Sequence, residues 1–113
     1  MTNAIASMAL IGKMPGAEPF DILVSVAAPN PRDNLPPEKT HWECSVLVEP
    51  LMKTKRVAGE NSLQALCLAV DLVRVELRDF QAGGGKLFQP STGSSERGQI
   101  GDEFPLEAFR FSP

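Results

Sequence analysis

The stretch Gly59–Gly85, GENSLQALCLAVDLVRVELRDFQAGGG, decides the fold of this chain. Asn61 stands at an Ncap position, its side-chain oxygen placed to accept from the backbone N–H of Leu63 or Gln64. Gln64, three residues on, gives a capping-box pattern in which its amide reaches back to the Asn61 N–H. Leu63, Leu66, Cys67, Val70, Val73, Leu77 and Phe80 then recur at three- and four-residue steps and predict one apolar helix face. Gly83-Gly84-Gly85 ends the run, because glycine accepts the left-handed conformation a C-terminal cap needs. From Ser62 to about Ala82 the helix would be roughly 30 Å long at about 1.5 Å per residue, enough to lie diagonally across a sheet.

Projected at about 100° per residue, Leu68, Leu72 and Val75 gather on the side away from that face. Three aligned aliphatics there predict a self-association or partner surface, the alternative being cover by a loop or terminal segment. Upstream, Ile5–Lys13 and Phe20–Ala28 read as strands joined at the Pro15-Gly16 turn. In the second, Phe20, Ile22, Val24, Val26 and Ala28 share a face while Asp21 and Ser25 take the other, the alternation of a half-buried antiparallel strand. His41–Glu49 alternates likewise: Trp42, Cys44, Val46 and Val48 against His41, Glu43, Ser45 and Glu49, with Leu47 out of pattern. Met52–Ala58 makes a fourth strand, which Gly59 turns into the helix.

The prediction is an α+β fold, an antiparallel sheet of about four strands with one long C-terminal helix packed across one face. The other face, carrying Asp21, Ser25, His41, Glu43, Ser45 and Glu49, is expected to be solvated or to meet a partner. The proline-rich stretch 29–39 reads as a loop, and Pro90–Glu103, rich in Ser and Gly, as a mobile loop. Lys86-Leu87-Phe88 would add a short edge strand, and Phe104, Leu106, Phe109 and Phe111 an apolar segment packing back on the domain.

The 113 residues suffice for one domain with a single core, and 42% hydrophobic with 22% charged residues is an ordinary globular balance. A net charge of −3 disfavours indiscriminate nucleic-acid binding. No apolar run approaches the ~18–20 residues of a membrane span, and Ala4–Gly12 lacks the basic lead-in of a signal peptide. Two cysteines make no disulfide framework, so a cytoplasmic protein is the expectation.

Chemistry-bearing patterns are scarce. His41, the only histidine, has opposite strand parity to Cys44, so the two should face apart and share neither metal nor proton. Cys44 and Cys67 are both expected in the sheet–helix core as free thiols. Gly83–Lys86 follows a helix C-terminus, whereas a phosphate loop leads into a helix N-terminus. Lys53, Lys55 and Arg56 form one compact basic cluster, with Lys53 and Lys55 sharing a face and Arg56 on the other. Edge lysines that discourage sheet-to-sheet pairing explain it, with phosphate-backbone tracking as the alternative. No enzyme, cofactor or metal site is expected.

Trp42-x-Cys44 followed by Gly59-x-Asn61-Ser62-x-Gln64-Ala65-Leu66 resembles a family of small uncharacterised bacterial proteins, known as a domain of unknown function. The resemblance spans about Phe20 to Leu77 and implies a bacterial, cytosolic α+β domain without transferring an activity. The expected function is a non-enzymatic protein-interaction module, with a protein partner or a homodimer, an immunity-type or regulatory binding protein being one form. The alternative is a dimeric single-stranded nucleic-acid-binding protein using the sheet face.

Overall fold

A computed structural model describes residues 4–31, 41–90 and 100–105. In chain order it contains β1 (Ala4–Lys13), β2 (Phe20–Ala27), β3 (Asn30–Pro31), β4 (Trp42–Glu49), β5 (Met52–Gly59), α1 (Ser62–Ala82), β6 (Lys86–Pro90) and β7 (Ile100–Glu103). All seven strands belong to one antiparallel sheet. Val46 and Val48 of β4 pair with β2 on one edge and with β5 on the other. Glu43 and Trp42 pair with both β3 and β5, so β3 prolongs β2 along the same edge of β4. The lateral order is therefore β5, β4, β2 with β3, β1, β6, β7.

Four expectations are corrected. The sheet has seven strands rather than about four, and the helix is not the last element, because β6 and β7 follow it. β6 is not an edge strand either: it lies between β1 and β7. Ile100–Glu103, expected within a mobile loop, is strand β7, held by pairing with Phe88 and Pro90. Residues 32–39 of the proline-rich loop, residues 91–99, and Leu106, Phe109 and Phe111 lie outside the described residues.

The five strands before the helix form a meander in which β3 prolongs β2, and α1 carries the chain from β5 back across to β6 beside β1. Its start is built as the residues suggest. Asn61 Oδ1 accepts from the Gln64 N–H at 2.8 Å. Gln64 Oε1 accepts in turn from the Glu60 N–H at 2.6 Å, one residue before the donor expected for a capping box. At the other end the Gly83 N–H donates to Asp79 and the Gly84 N–H to Gln81. The left-handed residue is Gly84, with φ +103°.

The helix packs chiefly on β4 and β5. Its buried row is Ala65, Ala69, Val73 and Leu77, an i, i+4 series that starts with the smallest side chains. Gly59 explains why: a Cβ there would stand 2.6 Å from the Ala65 nitrogen, so the helix start lies almost on the β5 backbone. The buried face is consequently turned by about 60° from the predicted one, at about 100° per residue. Leu63 is 69% exposed and Cys67 is exposed, which corrects both placements, while Leu66, Leu72 and Phe80 pack partly against the core. From the sheet, the core takes Leu10, Ile22, Val24, Val26, Cys44, Val46, Val48 and Leu87, those of β2 and β4 on the faces read from strand alternation. Phe104 packs against it too.

Candidate interaction surface

β1 is paired with β2 along its whole length, from Ala4 opposite Ala27 to Gly12 opposite Phe20. Its other edge meets β6 only at Ile11, Gly12 and Lys13. The β1–β6 pairing stops at Phe88, and β6 closes on Pro90, which has no N–H to give. From Ala4 to Leu10 this edge of β1 thus has no strand partner among the described residues. Every second residue of an unpaired edge turns its N–H and C=O outward, a template for another strand.

Except for Leu10, which is in the core, the side chains of this half-strand are as open as its backbone. Ala4, Ile5, Ala6, Ser7 and Ala9 are exposed and Met8 is half-buried, with Ile5 52% exposed. Because α1 lies over β4 and β5, it leaves this corner of the sheet uncovered. Beside α1 that produces a mostly apolar cleft of about 140 Å³ lined by Ala6, Ser7, Met8, Val24, Val26, Val70 and Val73. On the opposite side Leu23, which pairs with Ala9 in the middle of the sheet, is 45% exposed. The half-strand itself carries no charge: the first charged side chain of the sequence is Lys13.

The basic cluster occupies the opposite edge of the sheet. Lys53, Lys55 and Arg56 are exposed on β5. Val46 pairs with Lys55 but Val48 pairs with Met52, so a bulge at Lys53-Thr54 breaks the alternation that would have put Lys53 and Lys55 on one face. Lys55 reaches Glu76 of the helix at 3.6 Å. Arg56 reaches Glu43, across the sheet from that pair, at 3.6 Å. Two of the three cations are thereby matched to carboxylates on opposite sides. The predicted helix stripe is also divided: Leu68 is 42% exposed, Val75 is half-buried, and Leu72 packs against the core.

Cys44 is fully buried, and its Sγ donates to the Ala27 carbonyl at 3.0 Å. That carbonyl lies between the last β2–β4 pair, Val26 with Val46, and the first β3–β4 pair, Asn30 with Glu43. Burial pushes the Cys44 thiol up from its ordinary pKa, which keeps it protonated and unreactive. Lys13 and Lys86 pair directly across β1 and β6, and with Gly84 they line a cleft of about 330 Å³. α1 has no basic residue in its last turn, and these two lysines beside its C-terminal glycines supply charge of the sign its dipole favours. Among the described residues no three His, Cys, Asp or Glu side chains gather as a metal site, and no helix is long and apolar enough to cross a membrane.

No family model, curated protein or solved structure matches the chain. The surface therefore has to be read from its own chemistry. The residues missed at the level of sequence are those of the β1 edge, Ala4–Leu10. Their signal was present as the twelve uncharged residues that precede Lys13.

Proposed function

We propose that the protein is a non-enzymatic protein-interaction module whose contact surface is the open half of β1 with the cleft beside it. The supporting observation is the coincidence, at Ala4–Ala9, of a strand edge without a partner among the described residues, exposure on both sheet faces and absence of charge. Strand addition to such an edge takes its affinity from main-chain hydrogen bonds and its selectivity from pockets for alternate side chains, which the 140 Å³ cleft provides on one side. A regulatory or immunity-type role in a bacterial cytoplasm is the setting in which we place the module. The ion pairs of Lys55 and Arg56 favour a protein partner over a single-stranded nucleic acid, which needs unmatched cations and stacking aromatics.

Co-purification from the native host tests this reading, comparing the wild-type chain with Ser7→Lys. Ser7 is exposed, so the substitution adds charge at the edge without entering the core. The expected result is loss of the specifically bound protein from the variant. Identical recovery with both chains would contradict the reading.

A further inference from the structure

We infer that the open β1 edge pairs with the same edge of a second copy, antiparallel and about a two-fold axis at Ser7; this rests on the interaction-module reading above. A two-fold contact brings the same surface of each chain together, so an edge used this way must be complementary to itself. Two properties of Ala4–Leu10 meet that condition. The first is electrostatic. Like charges directly opposite each other oppose strand pairing, and this edge carries none, although the chain as a whole has a net charge of −3.

The second property is size. With the axis at Ser7, each Ala6 faces Met8 of the other copy and the two Ser7 residues face each other, all within the regular part of the strand. Met8, the large residue of that stretch, is thereby set against alanine. Facing pairs of that kind interdigitate, whereas an axis at Met8 would set two methionines against each other. The β1–β2 pairing is regular from Ala6 to Gly12, with an irregularity only between Ala4 and Ala6, so the central part of the edge is regular where the contact needs it. Joining the two edges would make one sheet continuous through both copies. It would also extend the open wall of the Val70–Val73 cleft with the partner's Met8.

β5 offers no such contact. Its edge presents Lys53, Lys55 and Arg56 and is bulged, so two copies would set cations against cations. The Lys13–Lys86 pair on the far part of β1 likewise confines the contact to the uncharged half.

Sedimentation of the purified full chain tests the inference, with a disulfide probe for the axis. The wild type is expected at about twice the 12.2 kDa chain mass at micromolar concentration, and Ser7→Lys as a folded monomer with unchanged circular dichroism. In a Cys67→Ser background, which removes the exposed native thiol, Ser7→Cys should form a disulfide-linked dimer under mild oxidation. Facing residues of an antiparallel pair have Cα atoms about 4.5–5.5 Å apart, within the range of about 4.4–6.8 Å a disulfide spans. Ala9→Cys in the same background should not cross-link, because it lies off the two-fold axis and so does not face its counterpart in the other copy. A monomeric wild type, or a dimer that survives Ser7→Lys and cross-links no better through Ser7→Cys than through Ala9→Cys, overturns the inference. If the pure chain is monomeric yet Ser7→Lys still loses a host protein, self-pairing fails and the module reading stands. If it is monomeric and the variant loses nothing, both fail.

Discussion

β5 and the first half of β1 are both open borders of the sheet, and the chain treats them in opposite ways. β5 has three cations among its eight residues, a bulge, and ion pairs to Glu76 and Glu43. Ala4–Leu10 has no charge, no bulge after Ala6 and no partner strand among the described residues. Charged residues and bulges are how soluble proteins keep exposed edges from pairing. Their presence on one border and absence on the other, among the described residues, is the contrast on which the proposed contact rests.

The difference extends to the helix. α1 is fastened over the β5 side, where Gly59 brings the Ala65 nitrogen within 2.6 Å of the Cβ that glycine lacks. It leaves the β1 side uncovered, and the cleft lined by Val70 and Val73 is the result. The largest expected effect follows from that asymmetry. Gly59→Ala should destabilise the fold by about 1–3 kcal/mol, since the obstructing atoms are backbone and cannot swing aside. Ala9→Ser, on the open half-strand, should stay within about 0.5 kcal/mol. Urea unfolding of both variants gives the comparison, and equal midpoints would mean that the helix is not anchored at Gly59.

Asn61→Ala should come next, at about 1 kcal/mol, because it strips the cap from the Gln64 N–H, while Asn61→Gly should cost only a few tenths. Equal, negligible losses would show that the helix start is held by Gly59 packing alone. The smallest effect on stability is expected at β5. Both of its ion pairs are long and solvent-exposed on the cation side, so Lys55→Ala or Arg56→Ala should change folding by less than about 1 kcal/mol. Replacing Lys53, Lys55 and Arg56 together by valine should instead change association, producing larger species on size-exclusion chromatography. A triple variant that behaves as the wild type would mean that the charges do not guard this edge.

Much of this architecture is legible in the residues. The bounds of β2 and β4 follow from alternation and those of β1 and β5 from the turn residues beside them, each to within a residue or so, and α1 follows from its caps and period. The helix face was harder because Ala65 and Ala69 carry little hydrophobic signal, yet their smallness is what a close approach over Gly59 requires. β7 was hidden for a related reason. Gly101, Asp102 and Glu103 have poor strand preference, and pairing with β6 overrides it. The open edge was least visible of all, since alternation reports which face a side chain takes and says nothing about which strands lie beside it.

Amide hydrogen exchange followed across protein concentration tests the central claim most directly. The outward-pointing amides between Ala6 and Leu10 should gain protection as concentration rises, while those of Lys53–Arg56 on β5 stay equally exchangeable at every concentration. Exchange along Ala6–Leu10 that is independent of concentration, or protection that appears on β5 instead, would contradict the account.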